Sequence, residues 1–246
     1  MDMDKMILVS VLALTGLFLG GVLASIMNKV IKQVSKLYVY SGALVFGMVL
    51  FEIIPETSAA FDWFGLTISI AIGLVLMHQI HLFTHSLQEK QSKTRAISLS
   101  TFFLVIAIAI HNFPSGIAIS SNAANNNLTD ELIFSFIIHQ IPEGLAIFLS
   151  LISAGSVVYS MLSFVSFILF LALCFFIALL IGEQGIFQDI RIRAIFMGIS
   201  IGTLCYVSVI ELIMGSFRSL RLKHFVQYFG MGLLTIFFYV HYVQIH

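Results

Sequence analysis

Charged residues are scarce in this sequence: Asp, Glu, Lys and Arg make up 10% of its 246 residues, against roughly 25% in soluble proteins. So few charges cannot cover a water-facing surface, which excludes an ordinary soluble domain. The formal net charge is zero and no basic face is present, so no nucleic-acid partner is expected. The only two cysteines, Cys174 and Cys205, lie within apolar stretches, which excludes a disulfide framework.

Apolar residues instead come in blocks long enough to cross a bilayer, which takes about 20 residues. The blocks that qualify are 6–27, 37–56, 65–85, 97–120, 131–151, 156–181, 194–215 and 225–245. The connections between them are short and leave no room for a soluble domain. We therefore predict an all-α, multi-pass integral membrane protein with eight transmembrane helices, in which residues 1–246 form one transmembrane domain.

Lysine and arginine are distributed unevenly among the connections. Nine follow the first, third and seventh blocks (Lys29, Lys32, Lys36, Lys90, Lys93, Arg95, Arg218, Arg221 and Lys223), whereas Lys5, Arg191 and Arg193 lie on the opposite side. Positively charged connections tend to stay in the cytoplasm. With eight spans, this distribution predicts that both termini face outside, that the fourth span runs outward and that the fifth runs inward.

Proline is almost as rare as cysteine, and its positions are unusual. The three prolines, Pro55, Pro114 and Pro142, all lie within predicted spans. Two of them belong to nearly repeated strings, HNFPSGIAI at 111–119 and HQIPEGLAI at 139–147. A proline removes one backbone N–H and displaces the carbonyl four residues earlier, which membrane proteins tolerate where protein or a water-filled cavity satisfies the freed group. We therefore expect broken helices that line a midplane site.

Ionisable residues within these strings are costly in a membrane and mark a functional site. Helical residues four apart share a face, so His111 points with Ser115, and His139 points with Glu143. A short connection makes the fourth and fifth spans plausible antiparallel neighbours, which brings two imidazoles and a carboxylate together at one depth. Such nitrogen and oxygen ligands suit zinc, iron, manganese or cobalt better than magnesium or sodium.

At these residues the sequence resembles the ZIP family of divalent-metal transporters. That family carries HNxPEG in its fourth helix and a related HxxPEG string in its fifth, and it has eight spans with both termini outside. The strings GTLCYVSVIEL at 202–212 and FEIIPE at 51–56 also resemble its seventh and second helices. The resemblance implies a pseudo-symmetric 3+2+3 arrangement of helices. It also implies that a bundle of the first, fourth, fifth and sixth helices moves against the others.

The resemblance also implies the residues of the site. The transport-site positions are His111, Asn112, Ser115, His139, Gln140 and Glu143, with Glu211 placed to receive the ion on exit and Glu52 to guide it inward from outside. Ser115 replaces the usual glutamate, which can bridge two metals in the family. We therefore predict one ion, held chiefly by His111, His139 and Glu143, with Ser115 a weak ligand at best. Asn112 and Gln140 are either ligands or groups that orient ligands.

The leading hypothesis is a plasma-membrane importer, not an enzyme. It moves Zn²⁺, or else Fe²⁺, Mn²⁺, Co²⁺ or Cd²⁺, into the cytoplasm by alternating access, with the metal as cargo and no catalytic cofactor. Metal ligands must be deprotonated to bind, so uptake is expected to weaken as the pH falls. The expected partners are the ion and the lipid bilayer, with a homodimer as one option.

Two features of the histidines remain open. A bis-histidine haem protein for electron transfer, with His111 and His139 as axial ligands, is the alternative of a different class. Three further histidines, His78, His81 and His85, share a face at the inner end of the third span. We expect them to be interfacial residues without a role in transport.

Overall fold

The computed structural model describes residues 1–31, 33–60, 62–88, 93–121, 126–152, 157–184 and 189–245. Nearly all of them are helical, and no β-strand occurs among them. The helices are α1 (Met3–Val30), α2 (Val34–Met48, continuing through a π-helical Val49–Ile53 to Ile54–Ala60), α3 (Trp63–Gln88), α4 (Lys93–Ser121), α5 (Asn126–Ile152), α6 (Val157–Glu183), α7 (Ile190–Tyr206, then π-helical Val207–Met214, then Gly215–Phe217) and α8 (Leu222–Ile245).

Six stretches of the described helices are long and apolar enough to cross a membrane. They are Met3–Val30, Val34–Ile53, Trp63–Phe83, Thr101–Ser120, Ser160–Glu183 and Arg191–Phe217. α5 carries a shorter apolar stretch, Phe136–Ile152, and α8 is not among the six. The all-helical prediction is therefore confirmed for the described residues, and their apolar helices are consistent with a membrane protein. The eight-span count and the outside location of both termini remain predictions.

The polarity of the molecule is the reverse of that of a soluble protein. Large apolar side chains such as Phe18, Phe64 and Leu162 are among the most exposed, whereas polar side chains such as Asn112 and Glu143 are buried. Hydrocarbon chains of lipid offer no hydrogen bonds, so polar groups must find partners inside the protein. The interior of the helix assembly is therefore where a polar site has to lie.

The helices are interrupted at only one of the places that the prolines predict: the π-helical turn Val49–Ile53 of α2 contains Phe51, four residues before Pro55. α4 and α5 continue as α-helix through Pro114 and Pro142, so the expected helix breaks beside the repeated strings are not seen. Each proline removes a single backbone donor, and the flanking hydrogen bonds suffice to keep the helix continuous. π-helical turns occur instead in α2 and α7, and each contains an acidic residue, Glu52 or Glu211. Such turns are frequent at functional sites.

Close packing at glycines joins α1 to α5 and α4 to α6, and we call these four helices the first helix group. A Cβ atom at Gly20 of α1 would overlap the carbonyl oxygen of Ile141, and one at Gly144 of α5 would overlap that of Leu17. Gly182 of α6 stands similarly against the α4 backbone. Small residues at such positions allow the backbones of membrane helices to touch. Within each of these two pairs the helices thus lie at backbone distance.

The remaining helices, α2, α3, α7 and α8, form the second helix group by the same means. A Cβ atom at Gly73 of α3 would overlap the carbonyl oxygen of Ile199 in α7, and one at Gly232 of α8 would stand 2.7 Å from that of Tyr40 in α2. α2 meets α7 at Gly42. No glycine of the described residues comes this close to the other group. Among the described residues, the glycine-mediated backbone contacts found within each group are thus absent between the groups.

Candidate metal-ion site

The two repeated strings bring five polar side chains together between α4 and α5. His111 and Asn112 come from α4, and His139, Gln140 and Glu143 come from α5; their exposed fractions lie between 1% and 6%. Burying polar groups is unfavourable unless they are paired. Their partners therefore show how the site is organised.

His111 is held by one ring nitrogen and leaves the other facing a carboxylate. Its Nδ1 lies 2.6 Å from the hydroxyl oxygen of Ser200 in α7, and that hydroxyl also lies 3.3 Å from the His111 carbonyl oxygen. On the other side of the ring, Nε2 lies 3.9 Å from Oε1 of Glu143. That separation is too long for a hydrogen bond. We call His111 and Glu143 the buried pair.

Glu143 uses only one of its two carboxylate oxygens. Asn112 donates from Nδ2 to Oε2 of Glu143 over 3.3 Å. Oε1 is buried and has no hydrogen-bond partner among the described residues. A buried carboxylate oxygen without a hydrogen-bond partner is unfavourable. The oxygen that faces His111 Nε2 is therefore positioned for a cation.

Asn112 and Gln140 bind each other and support the carboxylate. Gln140 donates from Nε2 to Oδ1 of Asn112 over 3.3 Å, and Asn112 donates from Nδ2 to Oε1 of Gln140 over the same distance. Asn112 therefore orients the Glu143 carboxylate, and Gln140 in turn holds Asn112. These contacts favour a role in orienting ligands, which is one of the two roles that the resemblance implies for Asn112 and Gln140.

His139 pairs with a residue from the second helix group. Its Nε2 lies 3.4 Å from Oε2 of Glu52, which comes from the π-helical turn of α2. The sequence suggested that Glu52 would guide the ion toward the site, but did not place it beside a ligand histidine. The contact shows that α2 contributes a carboxylate to the same region as α4 and α5.

The described side chains do not form an assembled metal centre. Among them, no three His, Cys, Asp or Glu residues lie close enough together to hold a metal ion. His111 faces Glu143 while His139 faces Glu52, so each carboxylate serves a different histidine, although the two imidazoles are near enough to interact electrostatically. Ser115 is half-buried and belongs to neither pair. The ligand set of His111, His139 and Glu143 remains a prediction.

A second polar cluster lies at the predicted inner side, between α3 and α7. His81 Nδ1 lies 2.6 Å from Oε1 of Glu211, and His78 Nδ1 lies 3.1 Å from the hydroxyl of Tyr206. The His81 and Glu211 side chains, which we call the inner pair, are 31% and 26% exposed. His78 and His81 therefore have specific partners that the sequence did not suggest, whereas the side chain of His85 lies outside the described residues.

Sequence reasoning missed Ser200 and the partner of His81. A serine in an apolar helix carries no signal of its own, and Ser200 lies 89 residues from His111 along the chain. The contact between His81 and Glu211 was easier to predict. An acidic residue late in the seventh span and a histidine late in the third lie at similar predicted depth. Only the packing of α3 against α7 shows that they meet.

Comparison with known proteins identifies the family of this chain. A search of curated proteins found no match to the sequence. The sequence model of the ZIP zinc transporter family matches residues 76–237, a range that covers more than half of the 246 residues and contains both repeated strings. The chain therefore belongs to the ZIP zinc transporter family.

Proposed function

We propose that the protein imports a divalent transition-metal ion, zinc first among them, through a single site between α4 and α5. The observation that carries the proposal is the gap between His111 Nε2 and Glu143 Oε1, which are 3.9 Å apart. Zinc forms bonds of about 2.0–2.2 Å to histidine nitrogen and carboxylate oxygen. An ion can therefore bridge these two atoms with little movement of either.

The second histidine–carboxylate pair supplies the remaining ligands in this proposal. Two imidazole nitrogens and two carboxylate oxygens make the four ligands that zinc prefers. His139 turns from Glu52 toward the ion, and Glu52 either follows as the fourth ligand or leaves that position to water. Ser115 is not needed, so one ion is expected rather than two.

Transport proceeds by alternating access, with the first helix group moving against the second. Support for this comes from the packing: glycine contacts join helices within each group, whereas polar side chains connect the groups. His111 and His139 belong to the first group, and their partners Ser200 and Glu52 belong to the second. A relative displacement would exchange these partners. Glu211, paired with His81, receives the ion on the cytoplasmic side.

Haem binding is a weaker interpretation of the same histidines. An iron bound to His111 Nε2 would place the porphyrin where Glu143 stands, only 3.9 Å away. Membership of a transporter family also does not favour electron transfer. No observation of the described residues supports this alternative.

Uptake of radioactive zinc into vesicles tests the proposal. His139→Ala and Glu143→Ala are expected to abolish uptake, because each removes a ligand. His241→Ala is a matched control, since that histidine is exposed and stacks on Phe237 away from the site. Normal uptake by both site variants, at equal amounts of protein in the membrane, would refute the assignment. Competition by iron, manganese, cobalt and cadmium identifies the preferred ion.

A further inference from the structure

Ser200 makes two contacts with one residue, and both are to His111. Its side chain is 1% exposed, and its hydroxyl oxygen lies 2.6 Å from Nδ1 and 3.3 Å from the carbonyl oxygen of that histidine. We propose that Ser200 is a positioning residue that fixes His111 in the tautomer with its proton on Nδ1, which leaves the Nε2 lone pair directed at the ion beside Glu143. This inference rests on the proposed function.

The proton count of the serine hydroxyl supports this tautomer. A hydroxyl has one proton to donate and lone pairs that accept. The carbonyl oxygen of His111 can only accept, so the Ser200 proton is directed toward it. Toward Nδ1 the hydroxyl oxygen then acts as acceptor, which requires a proton on Nδ1. In a neutral imidazole, Nε2 is consequently unprotonated.

The opposite tautomer leaves the His111 and Glu143 side chains without a favourable contact with each other. A proton on Nε2 would point at Glu143 Oε1 across 3.9 Å, beyond hydrogen-bonding distance, and would block metal binding. With the proton on Nδ1, two acceptor atoms face each other in a buried space, and Glu143 Oε1 has no other partner among the described residues. Two facing acceptors attract a cation. Ligand histidines commonly have their second nitrogen fixed in this way.

The contact between Ser200 and His111 depends on the conformation of the protein. Ser200 lies on α7 in the second helix group, whereas His111 lies on α4 in the first. The hydroxyl can therefore fix the ring only while the two helices hold their present register. Ser200 thus orients a ligand without itself binding the ion.

Nitrogen-15 NMR of histidine-labelled, metal-free protein tests the tautomer without any substitution at Ser200. The His111 signal is assigned by its loss in His111→Ala, and it is expected to show protonated Nδ1 and unprotonated Nε2. A protonated Nε2 in the wild type would overturn the inference. Ser200→Ala is expected to shift the signal toward the other tautomer, and Ser200→Thr, which keeps the hydroxyl, is expected to restore it.

Zinc uptake kinetics provide a second readout. Ser200→Ala is expected to raise the KM for zinc by about 10- to 100-fold, the usual effect of losing a group that orients a metal ligand, with a smaller change in maximal rate. Ser208→Ala is the matched control, since this buried serine of α7 donates only to the carbonyl of Cys205 in its own helix. An unchanged KM in Ser200→Ala would contradict the inference.

The two proposals fail in distinguishable ways. If Glu143→Ala abolishes zinc uptake but His111 carries its proton on Nε2, only the role of Ser200 is wrong. If Glu143→Ala transports zinc normally, the site itself is wrong, whatever the tautomer of His111.

Discussion

The buried pair and the inner pair use the same two residue types in opposite ways. His81 and Glu211 are 2.6 Å apart and partly exposed, so each already satisfies the other in contact with solvent. His111 and Glu143 are 3.9 Å apart and almost fully buried, with a carboxylate oxygen left unpartnered among the described residues. A closed pair needs no ion, whereas an open buried pair leaves a carboxylate oxygen that a cation can satisfy. The proposed function therefore has the ion bound at the buried pair and passed on at the inner pair.

Within this comparison, the largest effect is expected from removing the side chain that holds the Glu143 carboxylate in place. Asn112→Leu deprives Glu143 Oε2 of its donor, so the carboxylate is free to rotate away from its position facing His111. We expect the KM for zinc to rise about 10- to 100-fold, measured as initial uptake over a range of zinc concentrations. Gln140→Leu is the control: Gln140 bonds to Asn112 and not to Glu143, so its effect should be smaller. Equal effects would show that the amide pair acts as one unit.

The second prediction concerns stability, where the buried pair should behave unlike an ordinary ion pair. Glu143→Gln removes a poorly partnered buried carboxylate but keeps an acceptor for Asn112. We expect the metal-free variant to have a free energy of unfolding about 1–3 kcal/mol larger than that of the wild type. It should therefore unfold at a higher temperature. Zinc should stabilise the wild type and not the variant. Thermal unfolding in detergent, with and without zinc, measures both.

The corresponding change in the inner pair provides the contrast. Glu211→Gln weakens a satisfied contact with His81 and leaves no group unpartnered, so no gain in stability is expected. A gain as large as that of Glu143→Gln would mean that the two pairs do not differ as proposed.

The smallest effect is expected at the inner pair itself. A partly exposed histidine–carboxylate contact contributes at most about 1 kcal/mol, so His81→Ala should lower the maximal uptake rate by no more than about fivefold. The KM for zinc should stay unchanged, because His81 lies apart from the buried pair. Initial uptake rates at saturating and limiting zinc distinguish the two parameters. A loss of affinity in His81→Ala would make the inner pair a binding site of its own.

The sequence alone was sufficient to predict the helices and part of the candidate site. Apolar blocks predicted the helices, and the spacing of His139 and Glu143 predicted that the repeated strings would place their polar groups together. Ser200 and the contact between Glu52 and His139 were not predictable, because they depend on how non-consecutive helices pack. The continuity of α5 through Pro142 was likewise not evident, because a single lost hydrogen bond does not determine whether a helix breaks.

The grouping of helices has a consequence for biosynthesis. The first helix group, α1, α4, α5 and α6, is fully synthesised at Glu183, whereas the second group needs α7 and α8. Chains tend to fold from the N-terminus as they emerge. The first helix group, which carries both site histidines, can therefore assemble before the second group is complete, while α2 and α3 are already in the bilayer. Ser200 then reaches His111 late, so orientation of this ligand is among the last steps of assembly.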